Sequence, residues 1–170
     1  MKMHRKRNVN IGNYEFIFSN INNWINNIDN KVSILIAFLA VILGFIICND
    51  KFFNYLTNIN LLYRYGIYTI IILLSISCFL CILSLMGRIK AKGNYKSKIY
   101  FGSISNMDRK DFFDELETYS TQNYIEDLKN QIFINSCICD KKVRLYNCAL
   151  KLSLGAVLLS LSLFVLYILK

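Results

Sequence analysis

A single histidine, His4, stands in the chain, inside a basic leader with Lys2, Arg5, Lys6 and Arg7. Catalytic triads that move a proton through imidazole, and metal centres built on histidine, are therefore not expected. No glycine-rich phosphate loop and no G-x-S-x-G turn occurs either. Cys78-x-x-Cys81 has the spacing of a zinc or redox pair, but no second pair follows at ligand distance. It lies in an apolar run, where small cysteines pack between helices, and Cys137-x-Cys139 reads in a similar way. What remains is anion chemistry. Arg88, Lys90, Lys92, Lys96 and Lys98 precede Tyr100-Phe101-Gly102. Cations suit a phosphate, an aromatic pair suits the face of a base, and glycine leaves the backbone permissive. The same basic residues have a plainer use, holding a loop on the inner side of a membrane against anionic lipid. Trp24, the sole tryptophan, is open to two readings, a packing or interface anchor and a stacking surface.

Three apolar runs must position these residues. Val32 to Cys48 is 17 residues without a charge, ~26 Å as a helix. Tyr65 to Met86 is 22 residues, ~33 Å by the same rise. Leu152 to Leu169 is 18, preceded by Lys151, which is placed to snorkel. The expected fold is an all-α membrane protein with three transmembrane helices and a helical cytoplasmic segment between spans two and three. Its parts are a cytoplasmic N-terminal tail and helix at 1–31, spans at 32–48, 65–86 and 152–169, and a cytoplasmic sensing segment at 87–151. Only Lys51 and Arg64 lie between spans one and two, against the basic leader and the cluster after span two. The N-terminus and 87–151 are therefore expected in the cytoplasm and the C-terminus outside. That placement keeps Cys137, Cys139 and Cys148 in a reducing compartment.

The stretches outside the spans read as helix. From Tyr14, apolar residues recur at Ile17, Ile21, Trp24 and Ile28, and no breaker separates that stripe from span one. Arg88 to Ile104, with Gly93 and Gly102, reads as irregular. Ser105, Asn106 and Asp108 then signal a helix start, followed by an acidic helix with Phe112, Phe113 and Leu116 as its apolar side. From about Thr121, Ile125, Leu128, Ile132, Cys139, Val143, Tyr146 and Leu150 form one stripe that runs on toward span three. Asp29-Asn30-Lys31-Val32 and Asp140-Lys141-Lys142-Val143 share the pattern D-x-K-V. Near headgroups, such Asp and Lys side chains are able to pair across helices, where a lower dielectric strengthens them. Within the spans, Ser75, Ser77 and Ser84, and Ser153, Ala156 and Ser160, are the small residues that mark helix–helix contacts, with a pore lining as the sharper alternative.

Composition agrees. Of 170 residues, 55% are hydrophobic, yet Lys+Arg outnumber Asp+Glu by 20 to 11, a net charge of +9. So much apolar surface exceeds what a soluble core of this length hides, and it excludes disorder. The 6 cysteines lack the spacing of a secreted disulfide framework, and the Asn-rich sequence after the leader is not expected to be a cleavable signal. Proline is absent, so nothing forces a helix to break.

In order along the chain, Trp24-Ile25-x-x-x-Asp29-x-Lys31, Tyr100-Phe101-Gly102-x-Ile104, Asp127-Leu128-x-x-Gln131-Ile132 and Lys142 before the last span resemble the Pycsar effector transmembrane family. The likeness covers roughly Tyr14 to Leu169. It implies a small multi-pass effector of the bacterial inner membrane, acting in antiphage defence by abortive infection. In such systems a cyclase makes cyclic CMP or cyclic UMP on infection, and the effector impairs the membrane. The resemblance implies no enzyme and no cofactor; the expected partners are a cyclic pyrimidine nucleotide, the lipid bilayer and further copies of the chain, with no nucleic-acid polymer. Trp24, Asp29, Lys31, Phe101, Gly102, Asp127, Gln131 and Lys142 are the candidate ligand-binding residues, lysine and amide for phosphodiester and base edge, aromatics for the base face. A constitutive scaffold that binds a protein through its acidic Asp111–Asp127 surface is the alternative.

Overall fold

A computed structural model of the chain describes residues 11–48, 60–86 and 97–169. Of these, 89% are helical, and no strand occurs among them. The helices are α1 (Ile11–Ile47), α2 (Leu61–Leu85), α3 (Phe101–Ile104), α4 (Arg109–Glu117) and α5 (Thr121–Ile168). α1, α2 and α5 are each long and apolar enough to cross a membrane. The two expected run-ons are present: α1 carries its stripe without interruption into the first apolar run, and α5 extends for 48 residues. Neither helix meets a proline, and at Gly44 of α1 and Gly155 of α5 a Cβ would meet open space.

The chain divides into two compact units, one of residues 1–26 and 88–140, the other of 27–87 and 141–170. In the first, α1 meets α5 through Tyr124 Oη, which donates to Glu15 Oε1 at 3.0 Å, and through Asn135 Nδ2, which donates to Asn22 Oδ1 at 2.8 Å. Lys129 Nζ lies over the Tyr14 ring, 5.3 Å from its centroid. These contacts reset the phase of the α1 stripe. Its inward side is Tyr14, Phe18, Ile21, Ile25 and Ile28, whereas Ile17 and Trp24 are exposed. Both stripes have helical spacing, and apolar residues on both sides left hydropathy unable to choose. The α5 stripe stands as read: Ile125 and Leu128 are buried, and the others are half-buried.

The irregular stretch at 88–104 is corrected in part. Residues 88–96 lie outside the described residues, but Phe101–Ile104 is a helical turn. Ser105 Oγ and Asn106 Nδ2 both donate to the Gly102 carbonyl, closing that turn. The cap of α4 is Asp108 alone, whose Oδ1 accepts from the Arg109 N–H at 2.8 Å. On α4, Phe112 is half-buried while Phe113 and Leu116 are exposed, so its apolar side is only partly used.

In the second unit, Leu74, Ser77, Cys81 and Ser84 of α2 are buried at spacings of three and four. Ile28, Val32 and Leu39 of α1 and Lys142, Ala149, Ser153 and Ala156 of α5 are buried too. Small side chains let backbones approach, and hydroxyls then bond across. Ser77 Oγ donates to the Ala149 carbonyl at 2.8 Å, and Ser84 Oγ to that of Lys142 at 3.4 Å. The exposed Ser75 and Ser160 turn their hydroxyls back to Ile71 and Val157 of their own helices. At Gly66 a Cβ would stand 2.6 Å from Leu163 Cδ1, so the missing side chain is what lets that leucine in.

Candidate functional site

The polar centre of the first unit is Asp127, on the first turns of α5. It is 1% exposed. Its Oδ2 accepts from the Lys98 N–H at 2.8 Å and from Tyr119 Oη at 2.9 Å. Its Oδ1 is buried with no hydrogen-bond partner. A bare carboxylate oxygen away from water is costly, so the two bonds to Oδ2 have a desolvation penalty to offset. Lys98 Nζ lies 2.9 Å from Glu115 Oε2 and 5.1 Å from the Tyr119 ring centroid, which ties α4 to the same cluster. One residue earlier, buried Ser97 accepts the Ile99 and Tyr100 N–H groups through Oγ. The Tyr100 ring then packs where a Gly102 side chain would be, 2.6 Å from a Cβ built there. A side chain at 102 would have to displace that ring.

At the α1–α5 contact of this unit, burial and then the hydrogen bond and charge of Glu15 hold the Tyr124 phenol above its ordinary value of 10.0. The phenol therefore stays protonated, as a donor, across the neutral range.

Among the described residues of the second unit, Lys142 is the buried cation, 7% exposed. Its Nζ lies 2.5 Å from Asp29 Oδ1, so the expected pairing across helices is present, between the aspartate of the first D-x-K-V and the lysine of the second. Asp29 keeps a third of its side chain in contact with solvent, at 34%.

The eight candidates thus fall in two places. Trp24, Phe101, Gly102, Asp127 and Gln131 belong to the first unit; Asp29, Lys31 and Lys142 belong to the second. Asp127 and Gln131 are buried one turn apart on α5, and Asp29 and Lys142 pair with each other. Trp24, Lys31 and Phe101 are exposed. The reading from sequence misses Tyr119, Ser97 and the amide pair Asn22–Asn135, and has Glu115 only as one acid of the acidic helix. It placed Lys98 only within a basic run. No periodicity marks these residues, since their roles depend on partners up to 113 positions away. Among the described residues no group of three or more His, Cys, Asp or Glu is placed to hold a metal ion.

Three membrane-length helices, two of them running on into the first unit, define a multi-pass membrane protein. The sequence profile of the Pycsar effector protein domain matches residues 13–169. The chain is also similar to the Pycsar effector protein GmPycTM of Gulbenkiania mobilis, 28% identical over 152 residues, covering 75% of this chain and 77% of that one. No solved structure matches. The chain belongs to the Pycsar effector family, and with it to antiphage defence and cyclic-nucleotide signalling.

Proposed function

We propose that this chain is the killing component of its defence system, a membrane effector switched on by cyclic CMP or cyclic UMP that impairs the bacterial inner membrane. It works as a homo-oligomer, without enzymatic activity, with its N-terminus in the cytoplasm and its C-terminus outside. Ligand binding shifts a population between two arrangements of the helices, which requires the nucleotide to favour one of them. The observation that carries this reading is the continuity of α1 and α5, each a single helix with a polar portion and a membrane-length apolar portion. A helix without a break transmits a displacement along its axis. The eight candidate residues are proposed as the ligand contacts, Trp24, Lys31 and Phe101 from exposed positions and the buried members after rearrangement.

The test is dye release from liposomes holding the purified protein, with cyclic UMP, cyclic CMP, cyclic AMP or no ligand. Release with one pyrimidine cyclic nucleotide alone is the expected result. Silence with every ligand, from folded and inserted protein, would replace gating by the scaffold reading, in which the exposed Asp111, Asp114 and Glu117 of α4 meet a protein partner.

A further inference from the structure

We infer that the Lys142 ammonium is a binding site for a phosphodiester, and that the Asp29 carboxylate fills it until such an anion displaces it. The inference rests on the gating reading above and names its anion contact. A lysine ammonium carries three N–H donors. Among the described residues the partner of Lys142 Nζ is Asp29 Oδ1, and no second acceptor reaches it. A buried cation with one acceptor is short of bonds, because little of it meets water. The backbone that carries this ammonium is placed without Asp29. Ser84 Oγ of α2 donates to the Lys142 carbonyl, and two turns further along α5 Ser77 Oγ donates to that of Ala149. The counter-charge comes from α1, so the carboxylate is able to leave while the lysine stays.

Charge selects the class of ligand. Among the described residues of the second unit Asp29 is the one acid, while Lys31, Arg64, Lys141, Lys142, Arg144 and Lys151 are cations. Lys31, Lys141 and Arg144 are exposed and lie within two positions of the pair in sequence. Such an excess of one sign gathers anions. A phosphodiester has a single negative charge on two free oxygens, as a carboxylate has, so the exchange leaves the charge of the site unchanged. Asp29 offers the way in, since a third of its side chain meets solvent. Once displaced, it is an acceptor for an N–H or O–H of the arriving ligand. Asp29 lies three residues before Val32, where the charge-free run begins, ~4.5 Å of helix rise. At that depth a cyclic nucleotide and a lipid headgroup offer the same chemistry.

The experiment uses the full chain in nanodiscs of neutral phosphatidylcholine. Calorimetry gives the affinities for cyclic CMP and cyclic UMP of wild type, Asp29→Asn, Lys142→Met and the exchange of Asp29→Lys with Lys142→Asp. In parallel, mass spectrometry measures the phosphatidylglycerol that each protein retains from a mixed bilayer. Asp29→Asn removes the competing charge and keeps an acceptor oxygen. It is expected to bind about tenfold tighter, the factor by which affinity is masked when one molecule in about ten has the site open. Lys142→Met and the exchange are expected to bind about tenfold weaker. The exchange keeps an ion pair, so a merely structural role predicts wild-type binding from it. Far-UV helicity checks each fold, and should Asp29→Asn lose helix, the exchange decides alone. The same order in retained phosphatidylglycerol, with nucleotide affinities unmoved, makes lipid the source and supports the site. Equal values in both arms, or weaker binding by folded Asp29→Asn than by wild type, overturn the inference. Dye release silent with every nucleotide while either order holds overturns gating and spares the site; gated release with neither order overturns the site alone.

Discussion

Lys142 of α5 and Asp29 of α1 lie 113 residues apart in sequence and are joined by an ion pair of 2.5 Å, the lysine buried and the aspartate half-buried. The pair links the two D-x-K-V segments, and each partner conceals the other. In this arrangement Lys142 is engaged, and an anion that takes it must first displace the carboxylate.

The order of stabilities in a mutant cycle follows from that relationship. Asp29→Ala leaves a buried ammonium without its counter-charge and is expected to cost about 1–3 kcal/mol, less than a wholly buried pair because Asp29 is partly solvated. Asp29→Ala combined with Lys142→Met should recover part of that loss, since an apolar chain of similar length fills the site. Thermal unfolding in detergent, followed by far-UV circular dichroism, gives the comparison. A double variant less stable than Asp29→Ala would contradict the account.

Asp127 governs how the 97–119 segment sits on α5. Tyr119→Phe removes one of two donors from a buried carboxylate and is expected to cost about 1.5–3 kcal/mol locally. Hydrogen exchange at the Lys98 amide should then accelerate roughly tenfold or more, with Ser77 and Ala149 peptides unchanged. Equal protection of peptide 97–104 in both proteins would show that Tyr119 does not hold the segment.

Two serines on α2 separate contact from surface. Ser77 is buried and bonds the Ala149 carbonyl, whereas Ser75 is exposed and bonds its own helix. Ser77→Leu forces bulk into a close helix contact and is expected to destabilise by about 1–3 kcal/mol, while Ser75→Leu should be neutral within about 0.5 kcal/mol. Ser77→Ala, which loses only the hydroxyl, falls near 0.6 kcal/mol. Melting temperatures in one detergent rank the three, and equal values for the two leucine variants would argue against the packing described.

Much of the candidate site was visible in the chain, but not its wiring. The sequence marks Asp29 and Lys142 as residues able to pair across helices; the register that makes these two meet depends on how α1 and α5 pack. Asp127 and Gln131 read from the sequence as candidate ligand contacts, and nothing in their residue types signals that both are buried. Lys98 entered only as one cation in a basic run. Its backbone N–H, not its charge, is what Asp127 holds. Backbone donors carry no sequence signature, so no inspection of residue types would find that bond.

The sequence by itself determined the helical class and the three apolar runs. Each is a sum over local composition: hydrocarbon length needs only about twenty apolar residues, and an unbroken helix needs only the lack of proline. Tertiary structure decided which side of each helix was used. Phe18 and Ile25 face inward while Ile17 and Trp24 face out, and Ser77 bonds a neighbour while Ser75 does not. Residues one or two positions apart are equally apolar or equally polar, so hydropathy cannot rank them. The choice is made by the partner helix, through the close approach and the hydrogen bonds that only one phase allows.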